Sequence, residues 1–97
     1  MRYQIQQTRT FVHWLDSLRD LKAVTAIYRR LERAEQGNLG DSKSLGNGIS
    51  ELRIDIGAGY RLYYTRRGTE IIILLAGGDK TTQSADIKQA IKLAREV

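Results

Sequence analysis

Gly48-Ile49-Ser50-Glu51-Leu52-Arg53-Ile54-Asp55-Ile56-Gly57-Ala58-Gly59-Tyr60-Arg61-Leu62-Tyr63-Tyr64 is followed, after a short polar break, by Ile71-Ile72-Ile73-Leu74-Leu75-Ala76-Gly77-Gly78-Asp79-Lys80. Alternating and β-branched residues interrupted by glycine predict three consecutive antiparallel strands. Gly57-Ala58-Gly59 supplies one turn and Arg67-Gly68 the other, each with glycine where the backbone needs positive φ. Arginines stand at alternating positions of this otherwise apolar sheet. A guanidinium taken from water costs free energy unless it finds a partner. A face that collects them is built to meet an anion.

Side chains alternate along a strand, so a register assigns each residue to a face. Placing Ile56 opposite Tyr60 pairs Asp55 with Arg61, Ile54 with Leu62 and Arg53 with Tyr63. Leu52, Ile54, Leu62 and Tyr64 then face the core, and Arg53, Asp55, Arg61 and Tyr63 share the other side. Pairing Thr65 with Glu70 adds Ile72 and Leu74 to that second side as an apolar floor. An exposed Asp55–Arg61 pair is worth less than about 1 kcal/mol. Arg61, Arg53 two residues away on the same face, and Lys80 at the end of the last strand make a forked anion site. Planar, charged donors of this kind suit phosphate oxygens.

Outward from the strands, Tyr3, Ile5 and Gln7 alternate as a short first strand. Thr8 or Thr10 can cap a helix whose stripe is Phe11, Trp14, Leu15 and Leu18. Asp20 caps a second, with stripe Val24, Ile27, Leu31 and Ala34, and Gly37 stands where a left-handed stop belongs. Residues 37–48 read as a polar, mobile linker. Ile87, Ala90, Ile91 and Ala94 form the apolar face of a final helix. The order β-α-α-β-β-β-α predicts a single two-layer α+β domain over residues 1–97, its mostly antiparallel sheet packed on helices on one face. The other sheet face stays open.

The chain has 97 residues, a formal net charge of +5 and a pI near 9.8, which favour a polyanionic or acidic partner. It has no cysteine and one histidine, so neither a thiolate site nor a histidine cluster for a metal is expected. No signal peptide is read at the N-terminus, and the run Ile71–Ala76 is far too short to span a bilayer. A cytoplasmic protein is the expectation. Gly77-Gly78-Asp79-Lys80-Thr81-Thr82 lacks the spacing of a phosphate loop and reads as a turn into the last helix. His13 points away from its helix's apolar stripe, and Trp14 belongs to the core. Arg29, Arg30 and Arg33, interleaved with Glu32 and Glu35, read as a solvated helix face.

Gly37-Asn38-Leu39-Gly40-Asp41, Glu51-Leu52-Arg53, Gly59-Tyr60-Arg61 and Gly77-Gly78-Asp79-Lys80-Thr81-Thr82-Gln83 with Asp86-Ile87 carry a resemblance across the whole chain. It resembles the RelE/ParE superfamily of type II toxin–antitoxin toxins, within it the HigB-like, phage-derived addiction module killer proteins. The RelE-like domain is thus expected. The resemblance implies a ribosome-dependent mRNA endoribonuclease, a hydrolase-type translation inhibitor, held silent by a helix-turn-helix antitoxin. It implies neither metal nor other cofactor. The 2′-hydroxyl attacks the adjacent phosphate, and cations stabilise the charge that develops. Arg61 matches the family's arginine beside a tyrosine. Arg53 and Lys80 match further basic positions, and Lys43 is a further RNA contact. Superfamily members often carry a tyrosine or histidine near the C-terminus, whereas this chain has neither after Tyr64. Asp79, Tyr63 and Asp55 are therefore the candidates for proton transfer. A ParE-like inhibitor that binds DNA gyrase, or an inactive antitoxin-binding member, is the alternative.

Overall fold

Three residues set where the first two helices begin and end. The Thr8 hydroxyl accepts a hydrogen bond from the Phe11 amide (3.1 Å) and donates to the Leu75 carbonyl (2.7 Å). It thereby starts α1 (Arg9–Ser17) and ties it to the sheet. Asp20 Oδ1 accepts from the amides of Lys22 and Ala23, the capping expected for α2 (Leu21–Glu35). The helix stops at Gly37, whose φ of 96° lies in the region that favours glycine. The computed structural model describes residues 2–97. The remaining elements are β1 (Gln4–Gln7), β2 (Ser42–Gly46), β3 (Ile49–Ile54), β4 (Tyr60–Arg67), β5 (Ile71–Asp79) and α3 (Gln83–Glu96), with a single 3₁₀ turn over Lys80–Thr82. No helix among the described residues is long and apolar enough to cross a membrane.

The strands form one sheet in the order β1-β5-β4-β3-β2, antiparallel except where β1 runs parallel to β5. Both sheet faces are covered. Phe11 and Leu15 of α1 and Ala23, Ile27 and Leu31 of α2 pack on Leu52, Ile54, Leu62, Tyr64, Ile72 and Leu74. Ala90 of α3, flanked by Ile87, Ile91 and Ala94, packs on Ile49, Tyr63, Ile73, Leu75 and Ala76. The α+β class is as expected, but the helices divide between the faces rather than sharing one. The α3 stripe needs an apolar partner, and the second face offers one because Ile73, Leu75 and Tyr63 line it. That face is therefore partly roofed, not open.

Three further expectations are corrected. Residues 37–48 contain an edge strand, β2, paired with β3 and joined to it through Gly46-Asn47-Gly48, all three with positive φ. Ser42, Lys43 and Ser44 lack an apolar alternation because an edge strand is held by its backbone ladder and only Leu45 is drawn toward the core. Arg53 lies opposite Arg61, not Tyr63, and Ile54 opposite Tyr60, because the Asp55–Gly59 turn is longer than the three-residue one assumed. This two-residue slip preserves parity, so the β3 and β4 residues keep their predicted faces. Between β4 and β5 the parity itself changes. Thr65 pairs with Ile73 and Arg67 with Ile71, which sends Ile72 and Leu74 to the α1–α2 side. A bulge opposite Tyr63 and Tyr64 then leaves Leu75 as the extra residue, and Leu75 joins Ala76 under α3.

Candidate functional site

Arg61 is the centre of the polar residues on the α3 side. Its Cα partners are Arg53 on β3 and Gly78 on β5. The side chain is 8% exposed, Nη1 donates only to the neighbouring Tyr60 carbonyl (3.1 Å), and buried Nε has no partner. The ion pairs among the described residues both belong to Arg53, so Arg61 has no carboxylate within 4.0 Å. A cation in that position lacks its compensation.

Arg53 is different. Its Nη2 donates to Asp41 Oδ1 at 3.1 Å, and its Nε lies 3.7 Å from Glu51 Oε2. The Arg53 amide also donates to the Asp41 carbonyl (2.9 Å). Arg30 fixes this corner from α2. Its Nη1 donates to the Arg53 carbonyl (2.6 Å) and its Nη2 to the carbonyls of Leu39 (3.0 Å) and Asp41 (3.1 Å). Burial pulls its pKa below the usual arginine value, Asp41 opposing that shift and Arg33 adding to it. Arg29 and Arg33 face solvent as expected, but Arg30 is a structural clamp.

Tyr63 lies directly opposite Glu51 and is fully buried, and its hydroxyl has no hydrogen-bond partner. Burial pushes its pKa up to about 12, with Glu51 and Asp86 adding to the rise and Arg61 opposing it. Asp86, in the first turn of α3, accepts from the Thr82 hydroxyl (2.5 Å). Its carboxylate occupies the space that a Cβ on Gly78 would fill, so any larger residue there must displace it.

The family of phage-derived Gp49-like proteins (DUF891) matches residues 13–97. This chain belongs to that family. An uncharacterised protein of Haemophilus influenzae is 50% identical over 97 residues, which cover all of this chain and 98% of its relative. Among solved structures, a double arginine-to-alanine mutant of the Escherichia coli toxin RelE in the free state superposes with a TM-score of 0.76. That match covers 95% of this chain and 97% of RelE at 16% identity, so it establishes a shared fold.

Within this Gp49-like fold, Arg53, Arg61 and Tyr63 share the α3 side of the sheet. Lys43 is exposed on β2 with Glu51 as its Cα partner, and so belongs to the same face. Lys80 and Asp79 sit at the end of β5. Asp79 Oδ1 accepts from the amide (2.8 Å) and hydroxyl (2.6 Å) of Thr81, and the hydroxyl bond, the larger cause, lowers its pKa. Asp79 is thus the cap of the 3₁₀ turn. Lys80 lays its chain across Gly59, where an added Cβ would meet Lys80 Cε at 2.5 Å. It borders a cavity of about 290 Å³ with Asp55, Ile56 and Gly57. Asp55 lies in the turn, exposed and away from Arg61's register. His13 is exposed, and Trp14 packs tilted against Phe11 and Tyr60 with ring centroids 5.7 and 6.2 Å away.

Glu51, Asp41 and Asp86 entered the sequence reading only among the residues that carry the resemblance, and Arg30 only as part of a solvated helix face; none was expected in the site. Glu51 was within reach, since it alternates with Arg53 on the same face. Asp41, Arg30 and Asp86 join the site only through tertiary contacts.

Proposed function

We propose that this chain is the toxin of a type II toxin–antitoxin module and acts as a ribosome-dependent mRNA endoribonuclease in the cytoplasm. The RelE fold and the Gp49-like family support the toxin reading. The observation that carries the catalytic reading is Arg61, a buried guanidinium without a carboxylate, beside a Tyr63 hydroxyl without a partner. A scissile phosphodiester supplies what both lack. Arg61 binds a phosphate oxygen and stabilises the charge that grows on it in the transition state. Arg53, Lys80 and Lys43 hold flanking phosphates, and Tyr63, protonated before the reaction, donates to the reacting group. Asp79 keeps Lys80 in place by capping the turn that carries it. A helix-turn-helix antitoxin is the partner that silences the chain.

The test is induced expression in cells with and without the neighbouring antitoxin gene, read as growth and transcript integrity. Arrest with cleavage of translated mRNAs is expected, both absent in Arg61→Ala. Arrest with intact transcripts and a DNA-damage response would instead assign a gyrase-binding toxin.

A further inference from the structure

Resting on that ribonuclease reading, we propose that Glu51 is the group that takes the proton from the attacking 2′-hydroxyl. Several observations converge on it. The Glu51 side chain is on the same face as Arg53, Arg61 and Tyr63, with Tyr63 directly opposite. It is 6% exposed, a rare setting for a carboxylate whose ion pair with Arg53 is not also a hydrogen bond. Its approach to Arg53 Nε, 3.7 Å, is too long for a hydrogen bond.

The other carboxylates of the region are occupied or displaced. Asp41 is bonded to Arg53 Nη2, Asp79 to Thr81, and Asp86 to Thr82. Asp55 stands out in the turn. Tyr63 cannot serve as a base near neutral pH, because its hydroxyl is held protonated to about pH 12. Glu51 is the remaining acceptor. Of the four buried side-chain donors left without hydrogen-bond partners, Arg53 Nε, Arg61 Nε and the Tyr63 hydroxyl belong to this face, and Arg30 Nε belongs to α2. An acceptor-rich phosphodiester on the sheet face would meet the first three while presenting its 2′-hydroxyl to Glu51.

The step balances. The 2′-O–H bond breaks and its proton goes to the Glu51 carboxylate. The 2′-oxygen bonds to phosphorus, the bond from phosphorus to the 5′-oxygen breaks, and a 2′,3′-cyclic phosphate remains. The departing 5′-oxygen takes the Tyr63 proton, and solvent carries the proton from Glu51 and restores that of Tyr63.

The decisive experiment measures cleavage of ribosome-bound mRNA by the full chain and by Glu51→Gln, from acid to mildly alkaline pH. The ionisable groups facing Glu51 are Lys43 on β2, Arg53 on its own strand, Arg61 and Tyr63 on β4, and Asp86 from the α3 side. Asp86 is the one other carboxylate among them, so Asp86→Asn is the control. Glu51→Gln is expected to lose about 100-fold or more in rate, together with the acid limb of the pH profile. Asp86→Asn is expected to keep that limb. A folded Glu51→Gln that cleaves near the wild-type rate with the acid limb intact overturns the assignment and leaves the ribonuclease reading standing. A wild type that cleaves nothing overturns both. If Glu51→Gln does not fold, Glu51→Asp decides. A slower enzyme that keeps the acid limb supports the assignment, and one at full rate without that limb overturns it.

Discussion

Arg53 and Arg61 lie directly opposite each other on neighbouring strands, yet only Arg53 has carboxylates beside it. Like charges across a ladder repel, and the repulsion is tolerated here because Asp41 and Glu51 neutralise one member. The uncompensated member, Arg61, is also the more buried. The pair therefore divides into an arginine already compensated by carboxylates and one without such compensation.

Arg61→Ala is expected to separate stability from activity. Removing a buried cation that lacks a partner leaves the melting temperature unchanged or higher, while mRNA cleavage falls by about 100-fold or more. Arg61→Lys is not expected to restore the rate, because a point charge lacks the planar fork. A large drop in melting temperature for Arg61→Ala would assign the residue to the scaffold.

Asp41→Asn releases Arg53 from its ion pair. The pair is partly exposed and is worth less than about 1 kcal/mol, so thermal melting should barely move. RNA binding should tighten, and its salt dependence should steepen by about one phosphate contact. Filter binding across a salt series checks both. In the same corner, Arg30→Ala should cost about 1–3 kcal/mol, since the carbonyls of Leu39, Asp41 and Arg53 lose their donor.

Tyr63 makes the protein sensitive to alkali. Its folded pKa is raised from 10.0 to about 12, so the neutral phenol is favoured in the native state. The resulting stabilisation is complete below about pH 10 and is lost as pH rises toward about 12, where the unfolded chain gains by ionising first. Tyr63→Phe should flatten that part of the stability curve and lose cleavage at neutral pH. Melting temperatures of both proteins across this range give the answer.

Gly78→Ala should loosen α3. The added methyl takes the place of the Asp86 carboxylate, with Thr82 Oγ1 only 2.8 Å away. Gly46→Ala is the contrast, because its φ of 81° is strained but the space around it is open. It should cost about 1 kcal/mol. Hydrogen exchange along residues 83–96 would show protection lost in the first variant and kept in the second.

Much of this arrangement was legible in the amino-acid order. Thr8, Asp20 and Gly37 mark helix ends through local chemistry, and the alternation of Leu52, Ile54, Leu62 and Tyr64 survives a two-residue slip. What was not legible depends on counts or contacts that no local pattern records. The Thr65–Ile73 pairing follows from the tightness of the turn around Gly68, and a single unit of parity moved Ile72 and Leu74 across the sheet. β2 carries its pairing in the backbone. The roof over Tyr63 depends on which face α3 reaches after the Asp79-capped turn. Among the site residues, Arg53, Arg61 and Tyr63 were visible as a face, whereas Glu51's burial emerged only with the fold.

The parallel pairing of β1 with β5 has a consequence for how the chain is made. Gln4 to Gln7 can pair only with Ile71 to Leu74, so the first strand must wait for residues far behind it in synthesis. Such distant contacts slow folding, since the loop between them must be closed first. Gly78 and Asp86, which complete the surroundings of Arg61, come later still. A nascent chain therefore cannot complete these surroundings until Asp86 has left the ribosome.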